Sequence, residues 1–327
     1  SYWWLPRNRL DLSKKPKLAS FSLDGRRLFT VTDGNTVQFW DAANGHKIGK
    51  SAASAETIRT AAFSPEGDLL VTTSADKTAQ IWDAATGSPI GKPLPHDASI
   101  LRASFGPGAK RLIVVTANNK ASLWRVGDRT RIGVPLTHDG DIVTQAFSPD
   151  GNLVATGAID ATIRLWSTAS AQPSGPLIAD DFNLNSIAFS PDGKRLVTAS
   201  PDTKVLIADL ASRKRIGEPL ELNNAGVAAS FSPDGKRIVT VSVANEAQVW
   251  DTATASKIGA PMSHTDTIHL AAFSPDGRRV ITTSDDRTAQ VWDAESGKPI
   301  GGPLVGVLPA AVAFGGDGGQ VPIGLVE

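Results

Sequence analysis

The chain has 327 residues, and its 33 Lys and Arg are balanced by 33 Asp and Glu, so the formal net charge at neutral pH is zero. This balance argues against a generally basic nucleic-acid-binding protein and against an acidic solvating tail. No apolar stretch approaches the roughly 18 residues of a transmembrane helix, and the absence of cysteine excludes disulfides, cysteine zinc sites and thiol catalysis.

The N-terminal region precedes the repeated part of the sequence. The chain starts at Ser1, and no apolar signal-peptide core follows, so we expect a segment of a longer or processed protein. Residues 2–5, which include Trp3 and Trp4, and residues 9–12 are both candidate strands. Their partners depend on the repeats that follow.

From Phe21 onward the sequence repeats itself with a period of 42 residues. Phenylalanine marks each repeat, and tryptophan recurs in a fixed phase behind it, with Ala208 in place of one tryptophan. An eighth phenylalanine, Phe314, follows the seventh after 41 residues. The seven regular phenylalanines are Phe21, Phe63, Phe105, Phe147, Phe189, Phe231 and Phe273, and the tryptophans are Trp40, Trp82, Trp124, Trp166, Trp250 and Trp292.

Each repeat predicts four short antiparallel strands, and the unit 264–304 shows them best. Alternating β-branched and apolar residues predict strands at 267–274, 280–284, 288–293 and 298–304. The sequence Ser-Pro-Asp-Gly at 274–277 predicts a tight turn after the first strand. Pro299 and Pro303 place the fourth strand at the edge of its sheet.

The third strands end in Trp-Asp at Trp82-Asp83, Trp250-Asp251 and Trp292-Asp293, and His264 lies nine residues before Phe273. Period, dipeptide and upstream histidine together resemble the WD-repeat β-propeller family over nearly the whole chain. The resemblance implies an all-β fold, a closed β-propeller of four-stranded antiparallel blades, with residues 1–327 forming one domain.

The number of blades depends on the two ends of the chain. Residues 312–318 resemble a first strand and its turn, and 321–326 a second strand. Residues 2–5 and 9–12 then supply the third and fourth strands, so that the eighth blade is shared between the N- and C-termini. We prefer eight blades; the alternative is a seven-bladed ring with loose or packed tails.

The resemblance also assigns roles to a buried hydrogen-bonded quartet in each blade. In the last full unit its members are His264, Ser284, Asp286 and Trp292. Ser, His and Asp together invite a catalytic interpretation, but a nucleophile needs an exposed serine beside its base, whereas the family buries these groups between packed blades. We therefore expect a structural role and a non-enzymatic protein.

One rim of such a propeller carries the loops before the first strands and the turns between second and third strands, and the family commonly uses it for protein recognition. Residues at these positions differ from repeat to repeat while the scaffold positions recur. Phe182, an aromatic residue outside the period, is either a binding anchor or a plug against a neighbouring blade. The candidate partner-binding residues are Arg59, Arg102, Asp139, Asp141, Phe182, Asn185, His269 and Arg287.

Basic pairs follow the first turn in five repeats, and symmetry places them on the opposite rim. They indicate either a docking site for an acidic partner or simple solvation of the turn, and no aromatic residues interleave them to support nucleic-acid binding. The histidines and acidic loops lack the spacing of metal sites, so we expect no metal and no cofactor. The pairs are Arg26-Arg27, Lys110-Arg111, Lys194-Arg195, Lys236-Arg237 and Arg278-Arg279.

The leading hypothesis is a non-catalytic protein-interaction scaffold or sensor. We expect a cytoplasmic, monomeric domain that binds a protein or peptide on one rim and binds neither nucleic acid nor membrane. The Ile-Gly-x-Pro-Leu motif at 90–94, 132–136, 216–220 and 300–304 resembles bacterial WD-repeat proteins, in which such propellers form the C-terminal part of larger signalling chains. The alternative is a ligand-binding or enzymatic propeller with its site in the central channel.

Overall fold

A computed structural model of the protein describes residues 16–22, 24–33, 35–175, 178–179, 184–305, 307–312 and 323–325. Among these residues, seven sheets of four or five strands follow one another in chain order, each antiparallel and each built from one repeat, and a two-stranded sheet follows them. In the first sheet the strands are β1 (Leu18–Phe21), β2 (Arg27–Thr32), β3 (Thr36–Asp41) and β4 (Lys47–Ala53); in the second, β5 (Ile58–Phe63), β6 (Leu69–Ser74), β7 (Thr78–Asp83) and β8 (Leu94–Pro95); in the third, β9 (Ile100–Phe105), β10 (Arg111–Thr116), β11 (Lys120–Arg125) and β12 (Arg131–Thr137).

The remaining four sheets repeat the same order. In the fourth sheet the strands are β13 (Ile142–Phe147), β14 (Leu153–Ala158), β15 (Thr162–Ser167) and β16 (Ile178–Ala179); in the fifth, β17 (Ser186–Phe189), β18 (Arg195–Ala199) and β19 (Lys204–Asp209), with an outer strand split into β20 (Lys214–Arg215) and β21 (Leu220–Glu221); in the sixth, β22 (Gly226–Phe231), β23 (Arg237–Ser242), β24 (Glu246–Asp251) and β25 (Lys257–Ser263); in the seventh, β26 (Ile268–Phe273), β27 (Arg279–Ser284), β28 (Thr288–Asp293) and β29 (Leu304–Val305).

The chain divides into two compact units, residues 1–135 with 311–324 and residues 136–310 with 325–327. The first three sheets belong to the first unit and the last four to the second, and the boundary falls within β12. A 3₁₀ turn, Pro107–Ala109, precedes β10. The prediction of an all-β chain with four-stranded antiparallel sheets, the blades of a propeller, is confirmed.

Within each unit, hydrophobic cores form between successive sheets because each sheet is apolar on both faces. Within the first unit, Phe29 and Phe39 of the first sheet pack with Ile58, Leu70 and Trp82 of the second. In the second unit, clusters of the same kind join sheets four and five, five and six, and six and seven. A sheet with two buried faces needs a neighbour on each side, which is why these repeats stack.

The Ser-Pro-Asp-Gly turn is held by its own side chains. Ser274 Oγ donates to Asp276 Oδ1 at 2.5 Å and accepts the backbone N–H of Arg279 at 3.0 Å. Gly277 has φ +69°, which a side chain disfavours. The hydrogen bond from Ser274 lowers the pKa of the Asp276 carboxyl. Equivalent serine–aspartate bonds begin at Ser22, Ser148, Ser190 and Ser232.

The aspartate of the Trp-Asp dipeptide caps the turn after the third strand. Asp251 Oδ1 accepts the backbone N–H groups of Ala253 and Thr254, both at 2.9 Å. These bonds, with that from the Thr254 side chain, lower the pKa of Asp251. The dipeptide therefore combines a buried indole with a turn cap, and neither role requires catalysis.

The fourth strand is shorter than the sequence predicts. Instead of a continuous strand at 298–304, the seventh sheet has a bridge between Trp292 and Pro299 and then only β29. Proline has no N–H to donate, and Gly301 has φ +73°, so pairing stops between the two points. Continuous outer strands occur in the first, third and sixth sheets.

The C-terminal region contains two further strands, β30 (Val307–Val312) and β31 (Ile323–Leu325). The first ends where the sequence predicts the eighth unit to begin, and the second lies inside the predicted strand at 321–326. Phe314 and residues 2–5 and 9–12 lie outside the described residues. Eight blades, the single domain over 1–327 and the shared last blade therefore stay predictions.

Candidate functional site

A buried hydrogen-bond relay crosses the seventh sheet. Trp292 Nε1 donates to Thr282 Oγ1 at 2.7 Å, and the Thr282 hydroxyl lies 2.7 Å from His264 Nε2. His264 Nδ1 lies 2.9 Å from Asp286 Oδ2, so this nitrogen carries the proton. Asp286 also accepts both the hydroxyl and the backbone N–H of Thr288, at 2.6 and 2.8 Å. Each buried polar group is thus satisfied.

Thr282, and not the predicted Ser284, supplies the central hydroxyl of this relay. Trp292 pairs with Val280 across the sheet, and Thr282 is the next residue of that strand on the same face. Ser284 is four residues from Val280, about 13 Å along a strand, which is beyond the reach of the indole. Its Oγ donates instead to the backbone carbonyl of Asp266 at 2.9 Å. His264, Asp286 and Trp292 take the predicted places.

The fourth sheet contains the same relay in full. His138 lies 2.8 Å from Thr156 and 3.2 Å from Asp160, and Trp166 donates to Thr156 at 2.8 Å. The bond from tryptophan to threonine recurs without histidine at Trp40–Thr30, Trp82–Thr72 and Trp250–Thr240. In the third sheet Val114 replaces the threonine, and Trp124 donates directly to His96 at 3.2 Å.

The relay is built for packing rather than for nucleophilic attack. Thr282 is fully buried, and its hydroxyl is held between an indole and an imidazole. Burial raises the pKa of Asp286, but the hydrogen bonds from Thr288 and His264 outweigh it and hold that pKa well below the usual range. The charged Asp286 carboxylate therefore orients the His264 imidazole. The Thr282 hydroxyl is not exposed to a substrate.

We predict that the protein loses stability in mild acid because of two histidines, the buried His138 and the half-buried His96. Burial lowers the pKa of His138 against the opposing pull of Asp160, and burial likewise lowers the pKa of His96. Unfolded histidine titrates near pH 6.5. Below this pH the unfolded chain binds protons that the folded chain does not, so the free energy of unfolding falls by up to about 1.4 kcal/mol per pH unit per histidine.

Urea unfolding between pH 7.5 and 5.5 at constant ionic strength measures this dependence, in a range above the titration of the carboxylates. His138→Gln should flatten the slope, and His46→Gln, at an exposed turn residue, should leave it unchanged. A slope that is the same in wild type and His138→Gln contradicts the assignment.

Three of the five basic pairs join one sheet to the next. Arg237 Nη2 donates to the Gly277 carbonyl of the next sheet at 2.7 Å, with its guanidinium 5.5 Å from the Phe273 ring centroid. Arg27 and Arg195 make the same bond to the glycine 40 residues ahead, at 2.7 and 2.8 Å. In these three pairs the second residue therefore binds the next sheet, while the side chain of the first residue is exposed.

Among the described residues, the opposite edge carries a β-bulge in five sheets, the second, third, fourth, sixth and seventh. We call this the upper edge: it holds the loop before the first strand and the turn between the second and third strands. In the seventh sheet Ile268 pairs with Ser284 and Leu270 with Thr283, so His269 is skipped and turned outward. The skipped residues, here named the bulge position, are Arg59, Leu101, Val143, Val227 and His269.

Three predicted partner-binding residues occupy equivalent places on this edge. Arg59 and His269 are at the bulge position, and Asn185 is in the same phase, just before β17. All three are exposed, as is Arg102, one residue after the bulge of the third sheet. The loop residues Asp139 and Asp141 and the turn residue Arg287 are also exposed.

Some of these side chains already contact other residues of the chain. His269 Nε2 lies 2.7 Å from Asp285 Oδ1, and Asp139 lies 3.4 Å from the Arg164 guanidinium. Asn185 Nδ2 donates to the Gly226 carbonyl of the next sheet at 2.7 Å, which gives it a joining role. Phe182 lies outside the described residues, so its role as anchor or plug stays a prediction.

A second set of upper-edge residues was not identified from the sequence. Sixteen residues after the bulge position, or after the residue in the same phase of the repeat, comes a residue that we call the turn position. In the five sheets with a bulge its backbone N–H bonds to the loop before the first strand, as from Val243 to the Ala225 carbonyl at 3.0 Å. Val243 is 56 % exposed and Ile159 46 %. Single apolar residues in turns carry no periodic signal; only the strand register reveals that they share one edge.

Within the part of the chain that the structure describes, no cluster of three or more His, Asp or Glu is arranged to hold a metal ion. No helix among the described residues is long and apolar enough to cross a membrane.

Comparison with known proteins identifies the repeat. The family model described as WD domain, G-beta repeat matches residues 45–83, 130–167, 173–209 and 257–293. Each matched segment starts in the outer part of one sheet and ends with the third strand of the next. A search of the curated proteins finds no match.

Proposed function

As this chain is a member of the WD-repeat family, whose repeats generally form non-enzymatic interaction scaffolds for protein partners, we propose that it binds a protein or peptide through its upper edge. The observation that carries the proposal is the contrast between fixed and varied positions. Serine–aspartate turns and tryptophan–threonine bonds recur from sheet to sheet. The bulge position instead changes among Arg59, Leu101, Val143, Val227 and His269.

A bulge suits recognition because it turns one side chain per sheet out of the ladder without breaking the sheet. Within each unit, different side chains at equivalent points of successive sheets give a surface that distinguishes partners by shape and charge. Arg59 and Arg102 offer cations in the first unit, and Asp139 and Asp141 offer anions in the second. The motif Ile-Gly-x-Pro-Leu supports the further proposal of a monomeric, cytoplasmic scaffold or sensor that forms the C-terminal propeller of a larger bacterial signalling protein.

Charge reversal on each edge tests the assignment of the upper edge. We expect Arg59→Glu to reduce partner capture about tenfold or more when the immobilised chain is exposed to an extract of the producing cells and the bound proteins are quantified. Lys110→Glu is the matched control, an exposed cation reversed on the opposite edge of the neighbouring sheet. Equal capture by wild type and Arg59→Glu, with loss in Lys110→Glu, contradicts the proposal.

A further inference from the structure

We propose that the upper edge of sheets four to seven binds a partner segment whose apolar side chains are flanked by lysine or arginine, an inference that rests on the proposed function and specifies its partner. The turn position carries Ile159, Pro201 and Val243 in sheets four, five and six, all exposed. Beside them, the half-buried Val143 and Val227 occupy bulge positions. At the turn position of the other sheets stand Asp33, Ala75, Ala117 and Asp285.

Direct hydrogen bonds bring the apolar residues of sheets five and six together. The Gly226 N–H donates to the Ser200 carbonyl at 3.0 Å, which places Val227 next to Pro201. On the other side, the Val243 N–H donates to the Ala225 carbonyl at 3.0 Å. The segment 225–227 thus lies between two turns, and Pro201, Val227 and Val243 lie on adjoining segments of the upper edge.

The fourth sheet adjoins these segments. The Ile187 N–H of sheet five donates to Thr144 Oγ1 at 3.2 Å, one residue from Val143. Ile159 covers the loop before the first strand so closely that a Cβ on Gly140 would come within 2.7 Å of its Cγ1. We call the set Ile159, Pro201, Val227 and Val243 the apolar arc.

Folding does not require the apolar arc. In the seventh sheet Asp285 occupies the turn position, and its N–H makes the same bond to the Thr267 carbonyl at 2.9 Å. A polar side chain therefore satisfies the turn equally well. Exposed apolar patches bounded by polar residues are typical of interaction sites, because burying them on binding removes apolar surface from water.

Carboxylates lie at both ends of the apolar arc. At the sheet-four end, Asp141 is exposed, and beside it the Asp139 side chain is 90 % exposed although it contacts the Arg164 guanidinium at 3.4 Å. At the sheet-seven end, Asp266 is exposed, Asp285 is exposed but contacts His269 at 2.7 Å, and Arg287 is an opposing cation. The ends of the arc therefore favour cationic groups, and charge complementarity with basic residues on both sides of an apolar core fixes the class of partner.

Selection of random 12-residue peptides displayed on phage, against the full chain, tests the proposal. We expect enriched peptides to combine apolar residues with lysine or arginine. A fluorescein-labelled enriched peptide, titrated by fluorescence anisotropy, should bind Val243→Asp and Ile159→Asp about tenfold more weakly or worse. Asp139→Asn should weaken peptide binding less than Val243→Asp does, and its effect should be larger at low salt than at high salt.

Val134→Asp is the matched control, because Val134 is 64 % exposed but lies on the outermost strand of the third sheet. Unchanged melting temperatures establish that the variants fold, and Val243→Ser replaces Val243→Asp if the latter does not. The proposal is overturned if no peptide is enriched, if enriched peptides are acidic, or if they bind the arc variants as tightly as wild type. If Arg59→Glu loses peptide binding and Val243→Asp does not, this inference is overturned while the proposed function stands. If neither variant loses peptide binding, both the inference and the proposed function are overturned.

Discussion

Replacing Thr282 with valine is expected to lower the free energy of unfolding by about 3 kcal/mol. The change keeps the shape of the side chain and removes one hydroxyl. It leaves two buried groups without a partner, the Trp292 N–H and His264 Nε2, both of which lie 2.7 Å from that hydroxyl. Urea unfolding monitored by tryptophan fluorescence measures the loss.

The fifth sheet offers a matched control for this substitution. Thr198 occupies the position equivalent to Thr282, but Ala208 replaces the tryptophan there. Thr198→Val removes the same hydroxyl without leaving an indole unpaired, so we expect a loss of only about 1 kcal/mol. Equal losses in the two variants would show that the tryptophan and histidine of the relay add nothing to the stabilisation that the threonine itself provides.

Gly297→Ala should lower the free energy of unfolding by about 3 kcal/mol, from backbone strain and a collision together. Gly297 has φ +69°, and a Cβ there would lie 2.0 Å from the Ala260 carbonyl oxygen on the outer strand of the sixth sheet. The same approach holds the hydrogen bond from the Ala260 N–H to the Ser296 carbonyl at 3.0 Å. Thermal unfolding followed by circular dichroism reports the effect.

Two further positions separate strain from collision. Gly108 has φ +66°, and an added Cβ there would meet nothing within 4 Å, so Gly108→Ala should lose only about 1 kcal/mol. Ala255 stands one repeat before Gly297 with φ +55°, and Ala255→Gly should gain about 1 kcal/mol. If Gly297→Ala is no worse than Gly108→Ala, the close approach of the two sheets is not energetically important.

Much of the fold follows from the sequence because the repeat exposes its own strand boundaries. The third strand predicted at 288–293 coincides with β28, and the second predicted at 280–284 differs from β27 by one residue. The fourth strand at 298–304 was wrong because local apolar character does not reveal where proline and a positive-φ glycine interrupt pairing. Strand propensity describes single residues, whereas pairing depends on both neighbours.

The candidate site was harder to predict, since its residues are defined by register. Ser284 has the expected residue type, but Thr282 has the expected distance from Trp292. From the sequence, Arg237 is one member of a basic pair in a surface turn, whereas the structure shows that it bonds to the Gly277 carbonyl of the next sheet. Val243 and Ile159 acquire meaning only when the bulge places them on one edge. Residue type suggests a role, and three-dimensional neighbours decide it.

The arginine bonds between sheets imply that each sheet contributing one depends for its stability on the sheet that follows it in the chain. Arg27, Arg195 and Arg237 each hold the turn of the following sheet, with a sequence separation of 40 residues. Contacts of this range couple nearest neighbours and nothing more distant, as in a linear array of interacting units. Local opening of one sheet should therefore expose the face of the preceding sheet whose arginine binds its turn. A substitution at Gly235 in the sixth sheet should accelerate amide exchange in the fifth sheet, which contributes Arg195, before it accelerates exchange in the seventh.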